Sequence, residues 1–259
     1  IKAVDQVLAK AESAPIPARN ADRPAGPGET VVGLITPLYS KDSWGALTRA
    51  VSSALSGDGG PLVRLTDQYL ERNADGSYPN DTEANLAVNC VDQEPSKLPV
   101  EFRDFPAAAA RFAQQAPHFG PSLATGLTCA FWGAKPDPLS PPTAKGAPPI
   151  LVVSTSGDPA TPYEWGVAVS KQLSSGMLLT YYGEGHTAYV GGDSCVDDTV
   201  DTYLLEVSRP KVASCGDPGS VRSPDQPPPG SSAETSGSAK KPGDWGRGLG
   251  WRAWCWWRW

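Results

Sequence analysis

The sequence predicts an α/β protein in which a run of short helices precedes the closing strands and helices of a doubly wound parallel sheet. Three observations carry this. Pro149-Ile150-Leu151-Val152-Val153 is a continuous apolar run, the pattern of a strand covered on both faces of a parallel sheet. A helical pattern from Tyr163 to about Leu173 separates it from a second strand pattern, Met177 to Tyr182, and another helical pattern runs from about Asp193 to Val207. Strand, helix, strand, helix is how such a sheet ends, whereas residues 1–113 show helical spacing and no strand pattern.

Taken in order, an amphipathic stretch with Val4, Val7 and Leu8 opens the chain. Ser43 is placed to cap a helix carrying Trp44, Leu47, Val51 and Leu55 on one face, with Gly57 just beyond its end. A second helix from Pro61 carries Leu62, Leu65, Tyr69 and Leu70 and stops at the turn Asn73-Ala74-Asp75-Gly76. A third begins after Asp81-Thr82 and carries Leu86 and Cys90; a fourth, Phe102 to Phe112, is rich in alanine and phenylalanine. These helices form one expected region, 1–113. The second, 114–217, opens with loops and prolines and holds the strands.

The third region, 218–259, is rich in Pro, Gly, Ser and Lys and cannot bury enough apolar surface to fold, so disorder is expected there. Its last fifteen residues hold six of the nine tryptophans and three arginines. Trp and Arg suit a membrane interface. They also share G-rich codons with Gly, and the stretch is read as a translated GC-rich frame. The chain begins at Ile1 rather than Met and without a signal region, and it is read as a fragment or a processed product.

A length of 259 residues with 39% hydrophobic residues and a net charge of −6 describes a globular chain able to bury one sizeable core. The 22 basic residues are scattered among 28 acidic ones, so nothing favours nucleic acid as a partner. No apolar run reaches the ~18 residues of a membrane span. Five cysteines show no metal-ligand spacing; Cys90 with Cys129 and Cys195 with Cys215 are possible local pairs in an exported protein, buried reduced thiols are the other reading, and Cys255 stands alone.

The chemistry concentrates at two strand ends. Gly157-Asp158 follows the first strand and Gly185-His186 the second, 28 positions between acid and histidine. A histidine acting as general base needs a partner that fixes its tautomer and stabilises the imidazolium. Loops at the carboxyl ends of adjacent parallel strands bring two such groups to one cleft. Asp193, Asp197 and Asp198 are rival acids, but they open a helix, where carboxylates complement the dipole. His118, between Pro117 and Phe119, lies in a loop with no strand and is read as structural.

The nucleophile is missing. No G-x-S-x-G elbow occurs; Gly120-Pro121-Ser122-Leu123-Ala124 lacks the final glycine and a preceding strand, and Ser154 and Ser156 sit on the acid's own strand end. In folds that run nucleophile, acid, histidine in chain order, the serine is expected upstream of Ile1, and the isolated chain is expected to be inert.

The motifs Gly157-Asp158-Pro159-Ala160-Thr161-Pro162, Gly183-Glu184-Gly185-His186 and Ser194-Cys195-Val196-Asp197 leading into Tyr203-Leu204 resemble a known family. Trp44-Gly45-Ala46-Leu47, Tyr69-Leu70 and Ala87-Val88-Asn89-Cys90-Val91-Asp92 resemble its helical cap. The family is the secreted actinobacterial tripeptidyl-aminopeptidase-like (TAP-like) serine proteases of the α/β-hydrolase superfamily, and the resemblance covers residues 1 to about 217.

It implies the C-terminal part of an α/β-hydrolase fold with a helical cap, Asp158 as the acid and His186 as the base. It implies export, with a signal peptide upstream and cystine pairs, no cofactor, and a peptide substrate held by its free amino end. A cap that selects an ammonium needs an anion, and Asp92 and Glu94 are the candidates. An esterase or lipase of the same fold, or a binding module without a nucleophile, are the alternatives.

Overall fold

Two apolar clusters, one built from helices and the loop after the first of them and one built on a three-stranded parallel sheet, organise the chain in a computed structural model that describes residues 1–92, 102–123 and 127–220. Glu94, Cys255 and the tail beyond residue 220 lie outside the described residues.

The helical cluster starts with α1 (Lys2–Ser13), which buries Val7 and Ala11. The chain then loops back on itself through an antiparallel bridge between Ile16 and Ala25, both fully buried. Helix α2 (Pro27–Ile35) was not anticipated, although its start is legible: Pro27 occupies the first turn, and the Glu29 carboxylate accepts the Gly26 N–H at 3.2 Å. Its buried residues are Thr30, Val31, Gly33 and Leu34. Gly33 lets α2 lie directly on the next-but-one helix, since a Cβ there would come within 2.5 Å of the Leu62 carbonyl oxygen. A 3-10 turn, Thr36–Tyr39, continues α2.

Helix α3 (Trp44–Leu55) corrects the expected face. It buries Ala50, Val51 and Ala54, while Trp44 and Leu55 stay exposed. Small side chains win because they allow close helix approach, and α3 packs through them. Ser43 makes no side-chain cap bond; it closes a preceding 3-10 turn in helical geometry, so its hydroxyl is not presented to the first-turn amides. Helix α4 (Gly60–Tyr69) buries Leu62, Val63 and Thr66, and Asp58 Oδ1 accepts from both Gly60 N and Arg19 N. Arg23 ties the bridge loop to this layer, pairing with Asp67 at 2.5 Å and with Glu29 at 3.2 Å.

Helix α5 (Asp81–Asp92) is joined by a Cys90–Cys129 disulfide to the short α8 (Leu127–Ala130). Between them lie α6 (Phe105–Gln115) and the four-residue α7 (Gly120–Leu123).

The sheet runs β1 (Ile150–Gly157), β2 (Gly176–Glu184), β3 (Ser214–Gly216), in that spatial order and all parallel. Helices α9 (Tyr163–Gln172) and α10 (Ser194–Glu206) are the two crossovers. β1 and β2 pair in register from Ile150 opposite Gly176 to Thr155 opposite Tyr181, then slip before Gly157 meets Glu184. Full burial of the Ile150 to Val153 run is corrected: these residues are half-buried, and Ser154 and Thr155 are the buried ones. Among the described residues β2 is the one strand paired with β1, which puts β1 at an edge of this sheet, where its side chains have strand neighbours on one side only. Leu179, Ala188, Val196, Val200 and Cys215 form the core here, and a Cys195–Cys215 disulfide fastens the start of α10 to β3. No described helix is long and apolar enough to cross a membrane.

Candidate active site

Asp158 lies immediately beyond the last residue of β1, and His186 two residues beyond the end of β2. Because the strands are parallel neighbours, both loops emerge on the same sheet edge. Gly185 turns the second loop with φ +105°, which favours glycine, and a Cβ there would crowd the Tyr39 carbonyl oxygen at 3.0 Å.

The two side chains are hydrogen-bonded. His186 Nδ1 lies 2.9 Å from Asp158 Oδ2 and 3.0 Å from Oδ1. A carboxylate can only accept, so Nδ1 carries the hydrogen and Nε2 is left as the acceptor, the tautomer a general base needs. Asp158 is almost wholly buried, with 4% of its side chain exposed, against 17% for His186. A buried carboxylate demands donors, and here they are many: Ala160 N and Thr161 N each donate to Oδ1 at 2.8 Å, and Thr161 Oγ1 donates to Oδ2 at 2.7 Å. Asp158 is thereby fixed in place by its own loop before it meets the histidine.

His186 is held from a second side. Its backbone N–H donates to the Tyr39 carbonyl at 2.8 Å, and the Tyr39 and His186 rings meet edge to face, centroids 5.2 Å apart at 89°. Burial, together with the Tyr69 hydroxyl 3.5 Å away and the charge of Asp158, raises the Tyr39 phenol well above its ordinary value, so it stays neutral. The loop beyond His186 is strained: Thr187 and Val190, both β-branched, have φ of +66° and +61°. Helix α10 restrains it, since Asp197 Oδ1 accepts from Val190 N at 2.7 Å and Asp201 Oδ1 from Tyr189 Oη at 2.6 Å.

The other candidates have separate places. Asp193 caps α10 by accepting from Val196 N at 3.1 Å. His118 Nδ1 pairs with Asp5 Oδ1 on α1 at 2.6 Å. Ser154 Oγ donates to the Tyr163 carbonyl and Ser156 Oγ to that of Tyr181, so both hydroxyls are committed to backbone. Ser122 is exposed on α7. Among the described residues no serine hydroxyl bonds to His186. Asp92 is the half-buried last residue of α5, two positions after Cys90.

Two contributors were not anticipated. Thr161 was readable as the third residue after an aspartate in a Pro-containing turn, the spacing at which a hydroxyl and an amide return to the carboxylate. Tyr39 had no such signal, because it reaches His186 across 147 positions from a 3-10 turn and partly through a backbone carbonyl. Tyr69, beside Tyr39, also lines a cleft of about 570 Å³ between α4 and α5, with Leu70, Glu71, Asp81, Asn85 and Val88.

Comparison with known proteins completes the assignment. Residues 116–215 match the model of the TAP-like protein family. The chain is 41% identical to the serine protease Hip1 of Mycobacterium tuberculosis over 209 residues, 77% of this chain and 39% of that protein. It is 38% identical to carboxylesterase B of the same species over 194 residues, covering 71% of this chain and 36% of that protein. It is 31% identical to the tripeptidyl aminopeptidase of Streptomyces lividans over 184 residues, covering 70% of this chain and 34% of that protein. The chain thus spans between a third and two-fifths of the length of these relatives. With its parallel sheet, its helical layer and this set of relatives, the chain belongs to the TAP-like α/β-hydrolases.

Proposed function

We propose that this chain is the cap and C-terminal catalytic portion of an exported serine exopeptidase that cleaves peptide bonds near a free amino terminus. The observation that carries the reading is the buried Asp158, held by three hydrogen bonds from Ala160 and Thr161 and bonded to His186 Nδ1. In the complete enzyme a serine from outside these 259 residues attacks the scissile carbonyl carbon while its proton passes to His186 Nε2. The imidazolium, held by the Asp158 carboxylate, then gives that proton to the leaving amine, and the C–N bond breaks to leave an acyl-enzyme. Water repeats the sequence: it attacks the ester carbonyl, His186 takes its proton, and the serine is released. No cofactor enters.

Asp92 and Glu94 remain the candidate anchors for the substrate ammonium; Glu71 and Asp81, which line the cleft beside Tyr69, are two further carboxylates suited to that task. The two cystines support export, because disulfides persist in oxidising compartments.

A second reading, an esterase acting on small acyl groups, is favoured by the carboxylesterase B similarity, since one triad serves both chemistries. The full-length protein assayed in parallel on tripeptidyl anilides and on short-chain esters separates the two. Release of anilide supports the peptidase, and ester cleavage with no anilide release overturns it. These 259 residues alone should not react with a fluorophosphonate probe; labelling would place the nucleophile within the chain.

A further inference from the structure

We propose that Tyr39 is a positioning residue for His186: its ring and its carbonyl fix the orientation of the imidazole, so that Nδ1 stays on Asp158 and Nε2 stays open. The proposal rests on the reading of His186 as the proton-carrying base and adds a residue that the acid–histidine pair does not itself contain.

The imidazole ring can rotate about two side-chain torsions, and a hydrogen bond to one carboxylate leaves its plane free to swing about the Nδ1–carboxylate axis. Something else must set that plane. Asp158 and Thr161 lie on the Nδ1 side, with Thr161 Oγ1 3.5 Å from Nδ1. Tyr39 supplies what is needed from another element. Its carbonyl receives the His186 N–H at 2.8 Å, which locates the backbone, and its ring stands at 89° to the imidazole with centroids 5.2 Å apart, which sets the plane. Edge-to-face pairs at this separation are favoured by the aromatic quadrupole and resist rotation of either partner.

Tyr39 is itself well fixed. It ends the 3-10 turn that continues α2, in which Pro37 is buried. Its ring also packs on Tyr69, centroids 5.8 Å apart, with the two hydroxyls 3.5 Å from each other. Gly185 completes the contact, for its φ of +105° strains any residue with a Cβ, and a Cβ there would crowd the Tyr39 carbonyl oxygen at 3.0 Å. Through Tyr39 the helical layer therefore reaches the sheet-borne pair. Tyr69, the other member of the aromatic pair, also lines the cleft between α4 and α5.

The test reads His186 directly and needs no turnover, so its failure and failure of the peptidase reading are distinguishable. In this chain labelled with nitrogen-15 histidine, the hydrogen exchange of His186 Nδ1–H is measured by NMR. His118, bonded to Asp5 in a different part of the molecule, is the internal reference. Tyr39→Met and Tyr39→Leu keep an apolar filling and remove the ring. In whichever folds, with the His118 signal unmoved, Nδ1–H exchange at His186 should quicken several-fold to about tenfold, the range an aromatic pair's coupling supports. Tyr39→Phe, which retains ring and carbonyl, should stay within about twofold of the parent on the same grounds. Unchanged exchange in a folded aliphatic variant overturns the proposal. So does a Phe variant that exchanges as fast as the aliphatic ones, because the ring would then not be what holds the imidazole.

Discussion

Thr161 donates its hydroxyl to Asp158 Oδ2 at 2.7 Å, on the oxygen that also receives His186 Nδ1 at 2.9 Å. The carboxylate is oriented by the Thr161 and Ala160 amides on one oxygen and on the other by this hydroxyl, with a longer bond of 3.4 Å from the Thr187 N–H, so the hydroxyl is the shorter of the two restraints on the histidine's side. Thr161→Val keeps the shape and the amide and deletes this donor. A hydrogen bond to a charged group contributes roughly 1.5–3 kcal/mol. Activity of the full-length enzyme should fall about tenfold or more, through kcat rather than KM, since the substrate is not touched. Wild-type kcat in Thr161→Val would show the hydroxyl to be dispensable.

Gly185→Ala strikes the other side of the pair. The substitution places a Cβ at φ +105° and 3.0 Å from the Tyr39 carbonyl oxygen. Backbone strain of this kind costs about 1–3 kcal/mol. The variant should unfold at lower denaturant, and its His186 loop should lose amide protection before the helical cluster around Leu34 and Leu62 does. Unchanged midpoint and protection would mean that the loop relaxes freely.

The strands were legible because β1 and β2 are written as apolar runs between turn residues, and Asp158 and His186 because each follows such a run. The N-cap of α10 was legible too, as Asp193 before an apolar-periodic stretch. What escaped reading is what depends on three dimensions. Helix α2 is buried through Thr30, Gly33 and Leu34, a pattern without a polar face, so periodicity does not announce it. The face of α3 shifted because Ala50 and Ala54 are valued for smallness, which a hydrophobicity pattern underrates beside Trp44. Tyr39 reaches the site partly through its carbonyl, which every residue type possesses.

Acid should loosen the helical layer at an identifiable place. The Asp58 carboxyl is held below its ordinary value of 3.8 first by the Arg19 N–H and next by the Gly60 N–H. A carboxyl depressed in the folded state contributes stability that is present above the unfolded value and lost as pH falls through the folded one. The loss therefore begins below about pH 4 and deepens with further acidification. Asp58→Asn should show a shallower acid limb in thermal melts between neutral pH and pH 2, with the two curves converging at the acid end. Parallel curves would remove Asp58 from the cause.

The two cystines should differ in what their loss does to the site. Closing loops with sequence separations of 20 and 39 residues contributes about 3 and about 4 kcal/mol in the chain-entropy account, so on stability alone Cys90–Cys129 is the larger. Cys195–Cys215 has the closer bearing on His186, because it anchors the start of α10, whose Asp193, Asp197 and Asp201 restrain the helix start and the strained loop after the histidine. Replacing Cys195 and Cys215 by alanine should therefore raise amide exchange at residues 187–192 even well below the melting transition. The Cys90→Ala, Cys129→Ala pair should lower the melting temperature while leaving those amides protected. Equal protection of the 187–192 amides in both variants would mean that α10 holds the loop without its disulfide.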